Sequence, residues 1–294
     1  MPIPLIVLVS HSTSLRRIQK PLATLFLATV LAITGLTYDV EKASGGQVAR
    51  GIVGEGACAI SGMSADQSQL IALQQARSSV IEKAAGIQVV SSTLVRNNAV
   101  ALDLIRTYSR GFIVREKVTW LPLAQHQDSP DRPPIPVYRV RISADVAIPE
   151  RRERPPGLSA TLNNKVFRKG ETARLEVRTE RAARVAVFNI TADDRVVMLF
   201  PHPYEKENLA QAGTPLKFPP EGSPIRLEMS PLPGHARDAE AFFITAVAAE
   251  RDVDYLAIFG SGKPMPLAAF FGQYAEMAPY SEEIILPYAV EGNE

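Results

Sequence analysis

RVAVFNITADDRVVMLFPHP, Arg184 to Pro203, is the stretch whose reading decides the fold of this chain. It reads as two strands joined by a polar turn. Side chains alternate along a strand, so Val185, Val187 and Asn189 point one way and Ala186, Phe188 and Ile190 the other. Asp193-Asp194 suits an Asx-stabilised reversal, because short carboxylate side chains bond the nearby backbone and tolerate left-handed angles. The second strand, Val196 to Phe200, stops at Pro201 and Pro203, which lack the N–H that a continuing ladder needs. Such a hairpin belongs to a two-layered β domain.

The flanking sequence continues the β pattern. In ETARLEVR, Ala173, Leu175 and Val177 alternate with Thr172, Arg174 and Glu176, as in a half-buried strand. Pro201 to Pro224 is a long loop with six prolines, anchored by Tyr204, Leu209 and Phe218. IRLEM from Ile225 is a further alternating strand, and AFFITAVAA from Ala241 a more buried one. PLAAFFGQYAEM from Pro266 predicts one late helix and EEIILPYAV from Glu282 a last strand. Residues 158–294 are therefore expected to form a mostly-β, sandwich-like domain.

Residues 47–148 read differently, as a helix on an antiparallel sheet, which makes the whole chain α+β. VARGIVGEGACAISG is a glycine-rich strand, bulged at its glycines. Ser64-Ala65-Asp66-Gln67 matches a capping box, in which the Ser64 hydroxyl and the Gln67 amide satisfy free N–H groups. The helix that follows carries Leu70, Leu73, Ala76, Val80 and Ala84 at helical spacing, with Ile81 alongside, and Gly86 is placed to end it. IQVVSSTLV predicts a strand and Ala99 to Ser109 a second short helix. Gly111 to Leu123 and Pro136 to Ile148 predict a hairpin whose inner face carries Val140, Ile142 and Ala144, while Arg139, Arg141 and Ser143 face water. Between the two parts, PERRERPPG (residues 149–157) reads as a solvated, semi-rigid linker.

Residues 1–46 look like a targeting segment. Arg16, Arg17 and Lys20 precede an uncharged apolar run from Pro21 to Thr37, the order a secretory signal needs. The alternative is an uncleaved anchor in the inner membrane through residues 21–37, and either way the bulk of the chain is expected outside the cytoplasm, in the periplasm or envelope. Membrane contact is expected only through this segment.

Composition and motifs mostly exclude chemistry. The formal net charge of +1 gives no field for nucleic-acid binding. Cys58 is the one cysteine, too few for an internal disulfide or a thiolate metal site, and reads as a small buried residue. His11, His126, His202 and His235 are too scattered for metal-ligand spacing, so no metal is expected. GEGACA, Gly54 to Ala59, superficially fits a dinucleotide fingerprint, but the helix starts later, at Ser64, so no cofactor is expected. GSGK at Gly260 to Lys263 reads as a turn, and Asn189-Ile190-Thr191, formally a glycosylation acceptor, lies within a strand. Asp193 and Asp194 read as a turn rather than a cation site, since hard cations need several convergent oxygens. No nucleophile–base set emerges, and no enzymatic activity is expected.

Two resemblances add to this. Gln75-Ala76-Arg77, Val90-Ser91-Ser92-Thr93, Ser109-Arg110-Gly111-Phe112-Ile113 and Tyr138-Arg139-Val140-Arg141-Ile142 resemble the N-terminal domain of flagellar assembly protein T over roughly residues 50–148. That resemblance implies a periplasmic assembly module without catalytic residues. Gly170-Glu171, Val185 to Ile190, Leu199-Phe200-Pro201, Asn208, Ala212-Gly213 and the later FFITAVAA strand resemble the bacterial domain of unknown function 4384 over about residues 160–250. That resemblance implies a non-catalytic accessory domain. One departure is Asp194, where the family's hairpin turn usually offers glycine. The expected role is a protein–protein interaction or assembly module of the cell envelope with an envelope partner. The alternative is a ligand- or glycan-sensing accessory domain that serves a separate enzyme. The candidate interaction loop comprises Tyr204, Leu209, Phe218 and His235.

Overall fold

The computed structural model describes residues 47–292, apart from 62, 87–106, 108–109, 128, 130, 132 and 151–152. The targeting segment, the strand expected at IQVVSSTLV and nearly all of the second short helix lie outside the described residues.

Four strands, β1 (Gln47–Ala59), β2 (Phe112–Trp120), β3 (Ala124–His126) and β4 (Ile135–Ile148), form the first sheet. Its order is β1-β4-β2, with β3 also on β4, and every pairing is antiparallel. Val140, Ile142, Ala144 and Val146 of β4 are buried while Arg139, Arg141 and Ser143 are open, as the alternation predicts. Helix α1 (Ala65–Ala84) lies on this sheet, started by the Ser64–Gln67 capping box and closed by Gly86 at φ 76°. The β1 glycines divide their work. Gly51 (φ 65°) sits at the register shift, whereas a Cβ on Gly56 would stand 1.9 Å from the Ala72 carbonyl oxygen of α1. Helix and strand therefore meet backbone to backbone, as only glycine permits. Ala76, Val80 and Ile81 are buried as expected, Leu70, Leu73 and Ala84 only in part, and the buried face also takes in Ser68, Ile71, Ala72, Gln74 and Arg77.

The second part begins with β5 (Ser159–Leu162), β6 (Val166–Arg168), β7 (Thr172–Ala173) and β8 (Leu175–Arg178). The central hairpin follows as β9 (Ala183–Ile190) and β10 (Arg195–Phe200). Short strands β11 (Leu209–Ala210), β12 (Leu216–Phe218) and β13 (Leu227–Glu228) lead to the long β14 (Arg237–Ala248). Helix α2 (Tyr255–Phe259), strand β15 (Met265–Pro266), helix α3 (Leu267–Met277) and β16 (Ser281–Glu291) complete the chain. The large sheet runs β15-β10-β9-β14-β16-β6, with β11 also on β9, and only the β16–β6 pair is parallel. Two small sheets, β12-β8-β5 and β13-β7, make the arrangement sandwich-like. ETARLEVR is thus split between two sheets, because β7 pairs with β13 and β8 with β5 and β12.

Strand β9 shows why its composition is apolar on both faces. Val185 and Val187 pack with Leu175, Val177, Phe218, Phe242 and Ile244 in one core. Ala186, Phe188 and Ile190 pack in another with Phe243, Phe259 and Phe270, and that core also holds Ile81, Phe112, Val140 and Ile142 of the first part. Phe112 of β2 stacks on Phe271 of α3 at 5.0 Å between ring centroids.

The linker keeps Glu150 and Glu153 to Pro155 exposed, and its last residues are fastened to the fold. Pro156 is buried, and the Gly157 and Leu158 N–H groups both donate to the Glu282 carboxylate at 2.8 Å. Glu153 pairs with Arg251, whose guanidinium also lies 4.1 Å from the Tyr280 ring centroid. The residues from Glu153 onward are thus fastened by β16 and the end of β14, a tertiary effect invisible in composition.

Candidate functional site: an ionic junction and an open groove

The turn of the central hairpin is a three-residue loop, closed by Thr191 N–H donating to the Arg195 carbonyl at 2.8 Å and Asp194 N–H to the Thr191 carbonyl at 3.1 Å. Asp194 adopts φ 57°, the left-handed conformation that glycine takes most easily at such a loop. Its carboxylate accepts from Gln74 Nε2 at 2.9 Å and pairs with Arg77, both on α1. Its carbonyl accepts from the N–H of Leu267, the first residue of α3, at 3.0 Å. The other edge of the Arg77 guanidinium pairs with Glu116 of β2, at 2.6 and 2.9 Å. One residue thus ties the hairpin to α1, and through Arg77 to β2. A glycine there would relax the backbone and lose the carboxylate. Burial pushes the Asp194 carboxyl up, and the Arg77 charge opposes this. Nothing in the linear sequence ties Arg77 to Asp194, and the expected apolar phase of α1 left both Gln74 and Arg77 unassigned.

A second polar cluster lies inside the sandwich. Glu240 of β14 accepts from Tyr288 at 2.7 Å and from Asn189 Nδ2 at 3.1 Å. Burial pushes its carboxyl up to about 7, against the bonds from Tyr288 and Asn189. Next along β14, Asp238 bonds His235 Nδ1 at 2.6 Å and accepts from the Leu232 N–H at 2.6 Å.

The residues expected to form one interaction loop do not gather. Tyr204 is 61% exposed and packs beside His202, while Leu209 is half-buried in β11. Phe218 is fully buried against Phe200 at 5.2 Å, so its ring is unavailable to a ligand such as a sugar. Its place in the sequence, inside a proline-rich loop, hid the short strand β12 that carries it inward. His235 is engaged by Asp238. Cys58 is buried as expected, which pushes its thiol up, and GEGACA lies within β1. Among the described residues no three His, Cys, Asp or Glu side chains are grouped to hold a metal ion.

The concave surface of this part lies elsewhere. A groove of about 760 Å³ runs over the open side of β8, walled by the 219–226 segment. Arg174, Glu176, Lys217, Glu221 and Arg226 line it, with Thr161 and Asn163 at one end. Lys217 and Glu221 pair at 2.9 Å, and Glu176 pairs with Arg178 at 2.7 Å. The second half of the loop singled out in the sequence contributes to this groove, but through Lys217 and Glu221.

Residues 166–238 match the family described as "Domain of unknown function (DUF4384)". The match begins at β6 and ends at the start of β14, so it is shorter than the 160–250 expected and omits the FFITAVAA strand. It includes the central hairpin and most of the groove lining. No curated protein matches the chain.

Proposed function

We propose that this chain is a non-catalytic, exported protein of the cell envelope that acts by binding another protein. The observation that supports this reading is the contrast between its committed and its open polar groups. Arg77, Glu116 and Asp194 bond to one another inside the fold, as do Asn189, Glu240 and Tyr288. The concave surface, most of it in the family-matched segment, is partly open and carries five charged side chains among its lining, Arg174, Glu176, Lys217, Glu221 and Arg226. Small-molecule sites are mostly apolar and bury most of their ligand, whereas protein contact surfaces are enriched in arginine and carry a polar rim. The apolar run behind Arg16, Arg17 and Lys20 supports export, and the resemblance of residues 50–148 to an assembly module supports the binding role.

A crosslinked pull-down of the natively expressed, C-terminally tagged protein from fractionated cells tests the reading. A reproducible envelope partner in near-equal amount is the expected outcome. Recovery of the protein alone, in a soluble fraction, removes it.

A further inference from the structure

The groove contains two arginines whose guanidiniums the fold leaves without a hydrogen-bond or ion-pair partner among the described residues. Strand β7 pairs with β13 through Ala173 opposite Leu227 and Thr172 opposite Glu228. Just past that pairing, Arg174 and Arg226 are both exposed and both line the same groove. Among the described residues neither guanidinium makes a hydrogen bond or an ion pair. The nearby carboxylates are engaged: Lys217 bonds Glu221 and holds its carboxyl below the ordinary range, with Arg174 adding to this through space, and Arg178 takes Glu176. The backbone at Arg174 is fixed. Asn163 Oδ1 accepts from the Arg174 N–H at 2.7 Å, and Asn163 Nδ2 donates to the Thr172 carbonyl at 3.1 Å. Two unpaired guanidiniums lining one groove can receive an oxyanion, since each fork can present two N–H groups to one carboxylate.

We propose that Arg174 and Arg226 form an anion-recognising site and that its occupant is an extended, acidic segment of the partner protein. The assignment rests on the interaction reading above. Charge complementarity identifies the occupant: with Lys217 bound to Glu221 and Glu176 to Arg178, the unmatched charges of the groove are the two arginines. The open shape suits a chain laid along strands more than an enclosed small molecule.

The test uses the purified full chain and a fluorescein-labelled octapeptide of alternating Glu and Thr, with the Gln/Thr peptide as control and inorganic phosphate as competitor. The Glu peptide should bind at least about tenfold more tightly than the Gln peptide, and binding should weaken as salt rises. The R174Q/R226Q double variant should lose that preference while melting at the same or a higher temperature, because neither guanidinium makes a hydrogen bond or ion pair within the described residues. Equal binding of the two peptides, or a double variant that binds like the parent, overturns the proposal. Displacement by phosphate at concentrations no higher than those of the peptide itself also overturns it, since the site would then serve a free anion. The pull-down separates the two readings. A partner recovered equally by parent and double variant sinks the groove assignment and leaves the interaction reading standing. Peptide binding that depends on both arginines, with no partner recovered from cells, sinks the interaction reading instead.

Discussion

Asp194 and Glu240 are both buried carboxyls on the large sheet, and each is held by a different device. Asp194, at the tip of the β9–β10 hairpin, has the Arg77 guanidinium against it. Glu240, on the neighbouring strand β14, is met by neutral donors, the Tyr288 hydroxyl and the Asn189 amide, with the Asp238 charge nearby raising its proton affinity further. Removing a carboxylate from water is costly unless a cation or a proton compensates it. The junction between the two parts of the chain uses a cation, and the sandwich interior uses a proton. The first arrangement requires both parts to be folded together, whereas the second is local to β9, β14 and β16.

The comparison breaks most sharply at Arg77. Arg77→Ala leaves the largely covered Glu116 and Asp194 without their cation, and should cost about 3 kcal/mol in urea unfolding at neutral pH. A loss well under 1 kcal/mol would mean that water reaches the junction and that the charges there are ordinary surface charges.

Glu240 gives the next largest effect, with a defined sign. Its folded carboxyl titrates near 7 against an ordinary 4.5, so between these values the folded protein carries a proton that the unfolded chain has lost. Its stabilising effect is complete below about pH 4.5 and is lost as pH rises through 7, on the order of 3 kcal/mol. Glu240→Gln should flatten that part of the stability profile and raise stability at pH 8. An unchanged slope in urea titrations between pH 5 and 8 would assign the dependence to other groups.

Tyr288→Phe refines the comparison, because it keeps the ring packed on Phe167 and Phe242 and deletes one donor to Glu240. The loss should be about 1–3 kcal/mol at pH 8 and smaller at pH 5, where the protonated acid needs the donor less. A loss independent of pH would place the contribution of Tyr288 in packing alone. Ser64→Ala supplies the baseline: it removes one exposed cap and should cost about 1 kcal/mol at every pH, read from the same urea series.

Local chemistry was legible before any tertiary structure. The capping box at Ser64, the Gly86 terminus, the alternation of β4 and the turn tolerance of Asp194 each follow from a few neighbouring residues. The whole buried face of α1 was not legible in that way. Apolar spacing selects one helical stripe, but α1 also packs through Gln74 and Arg77 against the hairpin turn, so its buried surface includes polar side chains whose partners lie far along the chain. The candidate site shows the same divide. The proline-rich segment was recognisable as exposed, yet Phe218 turns inward because β12 pairs with β8.

By itself the sequence determined the α+β class, the helix-on-sheet start, the sandwich-like continuation, the central hairpin and the likeness to the domain family over residues 166–238. These depend on periodicity, capping and turn chemistry, which act within a few residues. Tertiary structure alone decided that Asp194 answers Arg77, that Glu240 is buried beside neutral donors, and that Arg174 and Arg226 line one groove. Each of these depends on which strands and helices meet, and a charge is stabilised by what stands near it in space, at separations that reach 117 residues along the chain for Arg77 and Asp194.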